Sequence, residues 1–344
     1  MIDTTTHTVL LNKDADVAMH PSSMSKLMTV YILFSRLKEG RIKLDSKFTV
    51  SEKAWRTQGS KTFVGIGSEM AVEDLIHGII IQSGNDACIV VAEGVSGTEE
   101  AFVKEMNDMA ATLGMTHSHF TNPTGLPDDN HLMSARDLAI LAEHLIKDFP
   151  EYYHYFSLRE YTYNNITQQN RNRLLERNIG VDGLKTGHTD AGGYGIALSA
   201  QQEGRRLILI INGLASDNDR VEEGDKLLRW GFREFENKTL VRKGDKIADA
   251  DVWFGKQISV PLVADNDLIV TLPAGAGAGI TFTLKYTGPL QAPVEKGAHV
   301  ADLIIKLPDS EPQTVPLLAG EDVAKLSGFS RMSAVLGYYL HGKK

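Results

Sequence analysis

Three short polar strings, far apart in the chain, do most to restrict its fold: Ser23-Met24-Ser25-Lys26, Ser83-Gly84-Asn85 and Lys185-Thr186-Gly187. The first opens a helical stripe made by Leu27, Val30, Tyr31, Phe34 and Leu37. The second interrupts a stripe made by Val72, Leu75, Ile76, Ile79 and Ile80, and the third lies in a strand-like run. If they serve one chemistry, a helix start, an inter-helix turn and a strand must meet in one crevice. That calls for a mixed α+β fold in which helices cover a sheet.

The chemistry follows from the residue types. Ser23 and Lys26 are three apart, so a helix sets them on one face and in contact. A hydroxyl is a weak nucleophile and must lose its proton as it attacks. Lys26 takes that proton if burial and a second cation, Lys185, lower its pKa. Ser83 would relay a proton to a leaving group, and Asn85 would hold a substrate amide through its carbonyl and NH2. On a strand, Lys185 and Gly187 share a face and Thr186 points to the other. Gly187 leaves room for a substrate backbone beside the strand. The N–H groups of Ser23 and His188 would form an oxyanion hole. Taken singly, each string has a plainer reading: a serine near a helix start with a solvated lysine, an inter-helix turn, and an exposed strand with a turn. Their joint occurrence in this order favours the chemical one.

Around the strings, Thr8–Leu11 reads as a strand and Pro21 as a helix opener. Further helical segments lie near 87–92, 99–113, 134–148 and 218–236. Strands are expected at 183–189, 194–200 and 206–214, the last two joined by a hairpin turn at 202–205. After about residue 237 short β-rich runs alternate with Gly and Pro turns, which suits a small all-β sandwich. Residues 322–344 have helical spacing of apolar side chains with basic residues, as in an amphipathic helix at a membrane interface. The expected division is therefore 1–236, 237–321 and 322–344. The net charge of −8 over 344 residues argues against a nucleic-acid partner. A single cysteine permits no internal disulfide, and no apolar run is long enough to span a bilayer.

At these residues the chain resembles the serine D-alanyl-D-alanine carboxypeptidases of peptidase family S11, the low-molecular-mass penicillin-binding proteins, and within them the penicillin-binding protein 5/6 group. The blocks Val181–Thr189, Gln82–Cys88 and Ser134–Asp137 carry the likeness, as does the order of catalytic region, β-rich region and terminal helix. The resemblance implies a β-lactamase/transpeptidase-like catalytic domain with an antiparallel sheet and a helical subdomain. It implies that Ser23 attacks the carbonyl between the terminal D-alanines of a peptidoglycan stem peptide, with Lys26 as general base. Ser83 and Lys185 would protonate the leaving D-alanine, and Asn85 belongs to the same catalytic set. Thr186, Gly187 and His188 would line the substrate. Arg220 would bind the substrate's terminal carboxylate; the plainer reading makes it a surface residue of the acidic turn Asp217–Asp219. β-Lactams would acylate Ser23. The implied setting is the bacterial periplasm, on the outer face of the inner membrane, reached through the C-terminal helix. No cofactor and no metal are implied.

Three departures from the family pattern stand out. The signal peptide and the residues before the first strand are missing, as in a mature or engineered form. His7 stands where the family has a turn glycine. The run Ala274–Gly279 is unusual and reads as a turn of the β domain, since it lacks the Lys-Ser/Thr of a phosphate loop. Cys88 reads as a small core residue. His117 and His119 lack further ligands at zinc spacing, so a structural role is favoured. Alternatives on the same motifs are a serine β-lactamase or a D,D-endopeptidase; a third, of a different class, is a non-catalytic scaffold. The absence of Glu-x-x-Leu-Asn and the extra β region count against the lactamase.

Overall fold

The structure, a computed structural model, describes residues 1–276, 279–307 and 311–328. Its contacts divide into two units, Met1–Glu234 and the part from Phe235 onward. The first unit contains β1 (Ile2–Asp3), α1 (Lys26–Lys38), β2 (Lys47–Thr49), α2 (Glu52–Arg56), β3 (Glu69–Ala71), α3 (Val72–Ile80) and α4 (Asn85–Ser96). It continues with α5 (Glu99–Thr112), α6 (Ala135–Asp148), β4 (Glu160–Tyr163), β5 (Ile166–Gln169), β6 (Val181–Thr189), β7 (Gly193–Gln202), β8 (Arg205–Leu214) and α7 (Asp217–Glu234). Four strands form one antiparallel sheet in the order β1-β8-β7-β6, so β6 is an edge.

Both faces of this sheet are covered. Leu184, Ala197 and Ile208 join the helical core, while Ile196, Leu198, Leu207 and Leu209 pack with Val221 and Leu228 of α7. That double burial explains the unbroken apolar run Leu207–Ile211, where a half-exposed strand would alternate. Helix α1 is buried on every side as far as Phe34, and only its last turn, with Ser35, Arg36 and Lys38, reaches the surface. Met28, Ile32 and Leu33 are as inaccessible as the expected stripe Leu27, Val30, Tyr31 and Phe34. An apolar helix with no polar face belongs inside a domain. The helices around it start on side-chain caps: Ser51, Thr98 and Ser134 accept from the N–H groups of Ala54, Ala101 and Asp137.

One expectation is corrected at the chain's beginning, and one element, the β4–β5 hairpin, was not foreseen. Thr8–Leu11 is not a strand of the sheet; Val9 makes one bridge to Ile2, and β1 alone pairs with β8. His7 turns that corner in the left-handed region (φ 55), where the family has glycine. The polar hairpin β4–β5 was not expected, because its strands alternate weakly and stay largely exposed. The β7–β8 turn is as expected, with Glu203 and Gly204 at positive φ, as a two-residue hairpin requires.

The second unit is all β: β9 (Phe235–Val241), β10 (Lys246–Trp253), β11 (Ser259–Ala264), β12 (Leu268–Pro273), β13 (Thr281–Lys285), β14 (Leu290–Gln291), β15 (His299–Lys306) and β16 (Gln313–Ala319). Six strands form a sheet in the order β13-β15-β16-β11-β10-β14, and β12 pairs with β9. Val241, Val270 and Leu272 from the smaller sheet share one core with Val260, Leu262, Leu303, Ile305 and Leu317 from the larger. The described part of the Ala/Gly run turns back at once, with Ala276 donating to the Pro273 carbonyl at 2.9 Å. Val323 bridges Val294 and Lys325 bridges Gly255, so residues 322–326 run against the β unit instead of starting a helix. The rest of the expected terminal helix, 329–344, lies outside the described residues. Among the described residues no helix is long and apolar enough to cross a membrane.

Candidate active site

Ser23 sits in a 3-10 turn, Ser22–Ser25, that leads into α1, and Lys26 is the first residue of the α-helix. The Lys26 Nζ donates to Ser23 Oγ at 2.7 Å and to the Thr124 carbonyl. That carbonyl is held in place by Asn122, whose Oδ1 accepts from the N–H groups of Thr124 and Gly125 at 3.1 and 2.8 Å. Gly125 has φ +73, and a Cβ there would lie 2.0 Å from the Ser22 carbonyl oxygen. The close approach of the 122–126 loop to the serine turn therefore requires glycine. Lys26 is wholly buried, and that burial brings its pKa down to about 8, with the Arg171 guanidinium adding to the effect. An appreciable fraction of the amine is then neutral near pH 8, and a neutral amine accepts the serine proton.

Ser83 lies between α3 and α4 with a left-handed backbone, φ 60. It is 1% exposed, and its Oγ has no hydrogen-bond partner among the described residues. Asn85 begins α4. Its Nδ2 donates to the Gln58 carbonyl at 2.7 Å, which fixes which face of the amide bears the oxygen. The next residue, Asp86, is also buried and accepts from the backbone N–H groups of Thr62, Phe63 and Val64.

Strand β6 brings Lys185, Thr186, Gly187 and His188 past the serine turn. Ser22 Oγ and Thr189 Oγ1 are 2.8 Å apart across that contact. Gly187 has no side chain for a specific reason: a Cβ would meet the Pro21 oxygen at 2.8 Å and Ser22 Cβ at 3.1 Å. The space expected for a substrate backbone on this face is taken by the turn itself. Lys185 is buried, and its Nζ donates to the Thr186 carbonyl at 3.1 Å. Burial first, and the nearby Lys26 charge second, hold its pKa well below the usual lysine range. Thr186 is buried, whereas His188 is exposed and stacks on Tyr194, ring centroids 3.9 Å apart. Arg220 is buried rather than on the surface. It donates to the Gly187 and Gly195 carbonyls at 3.2 and 3.4 Å and pairs with Asp217.

The structure thus joins Ser23 to Lys26 directly and sets the Lys185 strand against the same turn. The fold, the three strings and this junction have known counterparts. A family model described as D-alanyl-D-alanine carboxypeptidase matches residues 1–215, and one for the C-terminal domain of penicillin-binding protein 5 matches residues 235–325. The chain belongs to the D-alanyl-D-alanine carboxypeptidase family. It is 38% identical to the D-alanyl-D-alanine carboxypeptidase DacC of Escherichia coli over 96% of this chain and 85% of that one. It is 33% identical to DacF of Bacillus subtilis over 98% and 88%. Among solved structures, penicillin-binding protein 5 from Haemophilus influenzae superposes with a TM-score of 0.81 at 35% identity, covering 94% of this chain and 96% of that one. Penicillin-binding protein D2 from Listeria monocytogenes, in its ampicillin-bound form, superposes with a TM-score of 0.62 at 28% identity, over 67% of this chain and 94% of that one.

Arg171 is a candidate site residue that sequence reasoning missed. It follows β5, is exposed, and makes no ion pair or side-chain hydrogen bond among the described residues. Its charge nevertheless helps to lower the pKa values of Lys26, Lys185 and Arg220. Nothing in the polar stretch Gln168–Arg173 signals this, because the fold alone creates it. Cys88 is a buried core thiol whose pKa burial raises to about 12. His119 Nδ1 donates to the Asn130 carbonyl at 2.8 Å, and His117 Nδ1 is hydrogen-bonded to the Thr116 hydroxyl.

Proposed function

We propose that this chain is a serine D,D-carboxypeptidase that removes the terminal D-alanine from peptidoglycan pentapeptide stems. Membership of the family supports the reaction. The observation that carries the assignment of residues is the 2.7 Å bond between the buried Lys26 amine and Ser23 Oγ. Ser23 Oγ attacks the carbonyl carbon between the two D-alanines while its proton passes to neutral Lys26. The N–H groups of Ser23 and His188 receive the oxyanion. As the C–N bond breaks, Ser83 and Lys185 return a proton to the departing amine, and free D-alanine leaves. Water then attacks the Ser23 ester, releasing the shortened stem and restoring the hydroxyl.

Asn85 holds the substrate amide through Oδ1, and Thr186 and Gly187 flank the strand edge along which it lies. The substrate's carboxylate enters a field made by Lys185, Arg171 and Arg220. Arg220 braces strand β6 through carbonyls and Asp217, while Arg171 has free donors to offer an anion. β-Lactams present the same carbonyl and carboxylate and acylate Ser23. We place the enzyme in the periplasm, held to the inner membrane by the C-terminal residues after 326. Intact-protein mass spectrometry with penicillin, followed by mapping of the modified residue, tests the nucleophile. A label on any residue other than Ser23 refutes it. Release of D-alanine from a diacetylated tripeptide ending in D-Ala-D-Ala tests the reaction, and an adduct lifetime of seconds or less would point to a β-lactamase instead.

A further inference from the structure

The wall that carries Ser83 and Asn85 is not built by α3 and α4 alone. A loop, residues 57–68, is docked flat on the Ser83–Asp86 segment. The fit is close: a Cβ on Gly84 would lie 2.0 Å from Thr62 Oγ1, and one on Gly78 2.4 Å from the same atom. Asn85 is bonded to this loop twice. Its backbone N–H donates to the Ser60 carbonyl at 2.8 Å, and its Nδ2 donates to the Gln58 carbonyl at 2.7 Å. The loop is also tied at its far end, where Ser68 and Gly67 pair with Val50, and on its outer side, where Asn164 and Gln168 donate to the Phe63 and Lys61 carbonyls at 3.2 Å. Gln58 and Phe63 are largely or partly exposed, Phe63 sits at φ 66, and Ile66 is 53% exposed.

What fastens its middle, Thr62–Val64, to the Ser83–Asp86 segment is the Asp86 carboxylate. Oδ1 accepts from Thr62 N–H at 2.8 Å and from the Asp86–Ala87 peptide N–H at 2.9 Å. Oδ2 accepts from Phe63 and Val64 N–H at 3.0 and 3.3 Å. Three consecutive amides curl around one buried anion, and charge-assisted bonds of this kind are the strong ones. The consequence runs back to the neighbouring residue. With the loop fastened, the Gln58 carbonyl can accept only from the NH2 side of Asn85. The amide is then locked with Oδ1 as the atom left for an N–H of the substrate.

We propose that Asp86 is a positioning residue: it clasps the 57–68 loop and thereby sets the orientation of the Asn85 amide that reads the substrate peptide. It touches no substrate atom itself. The inference rests on the carboxypeptidase reading given above.

Asp86→Asn keeps the shape and replaces an acceptor-only group by one that turns an NH2 toward three amides. The expected result is a fall of at least tenfold in kcat/KM for the diacetylated tripeptide, mostly through KM, since substrate binding is what is lost. The same substitution in an Asn85→Ala background should cost less than twofold, because Asp86 acts through Asn85. Losses of equal size in both backgrounds overturn the proposal, as do unchanged kinetics in the single variant. If Asp86→Asn does not fold, Gly59→Ala serves instead. A Cβ at that exposed loop position lies 2.8 Å from Asn85 Nδ2, and at φ +84 it also strains the loop backbone, so it should loosen the clasp and push the amide out of register. Its tenfold rise in KM supports the clasp, and unchanged KM sinks it. A failure of the carboxypeptidase reading is distinguishable, since the unmodified enzyme would then release no D-alanine.

Discussion

At the scale of single residues, the reactivity of Ser23 depends on how Lys26 is buried. Ser23→Ala should abolish both D-alanine release and the mass shift with penicillin while leaving thermal unfolding unchanged, and turnover in that variant would exclude Ser23 as nucleophile. The base must be neutral to act. With the Lys26 pKa lowered to about 8, the acylation rate should rise from pH 6, pass its midpoint near pH 8 and level off above it. A rate that falls over that range would rule out Lys26 as base. The two arginines should separate by substrate. Arg171→Ala should lower kcat/KM roughly tenfold or more for a peptide ending in a free carboxylate and hardly at all for the corresponding amide, the size of loss expected for one charge-assisted bond. Arg220→Ala should slow peptide turnover more than penicillin acylation; equal losses would leave it a purely structural brace. Sequence singled out Ser23, Lys26, Ser83, Asn85 and Lys185 because their spacing has a chemical meaning, and the structure joins Lys26 to Ser23 directly. Arg171 and the role of Asp86 were not legible, since each depends on a contact that only the folded chain creates.

At the scale of elements, strong periodicity gave reliable expectations and weak alternation did not. Helices α1, α3, α5, α6 and α7 and strands β6 to β8 lie close to where their patterns put them. The short pairs β2–β3 and β4–β5 are held by partners and loops more than by their own composition. The Thr8–Leu11 segment has the residues of a strand but pairs with the short edge strand β1 through a single bridge at Val9, which stays 45% exposed. Strand β6 gives the sharpest element-level test. Gly187→Ala would drive the strand off the serine turn, an overpacking that costs about 1–3 kcal/mol. Both a lower unfolding midpoint and a more than tenfold slower acylation by penicillin are expected. A stable, fully reactive Gly187→Ala protein would show that the strand does not need this close contact.

At the scale of the whole molecule, every residue proposed for catalysis falls within Met1–Glu234. The Listeria protein, which superposes over 67% of this chain, accounts for 94% of its own length in doing so. A fragment ending at Glu234 should therefore fold and be acylated by penicillin at a rate within about threefold of the full chain, a margin well inside the factor of ten that about 1.4 kcal/mol produces. Loss of acylation in a folded fragment would assign the β unit a part in the reaction. The change of texture near residue 237 was readable because sandwich strands and their turns differ in composition from the helical block. The terminal segment was less so, as its first residues, 322–326, lie against the β unit. The placement of Lys26 has one more consequence. It heads the helix around which the first unit condenses, and its amine is perturbed only while that interior excludes water. An unfolded chain thus holds an ordinary lysine and an inert alcohol, so a fluorescent penicillin would count folded molecules one by one and follow refolding in real time.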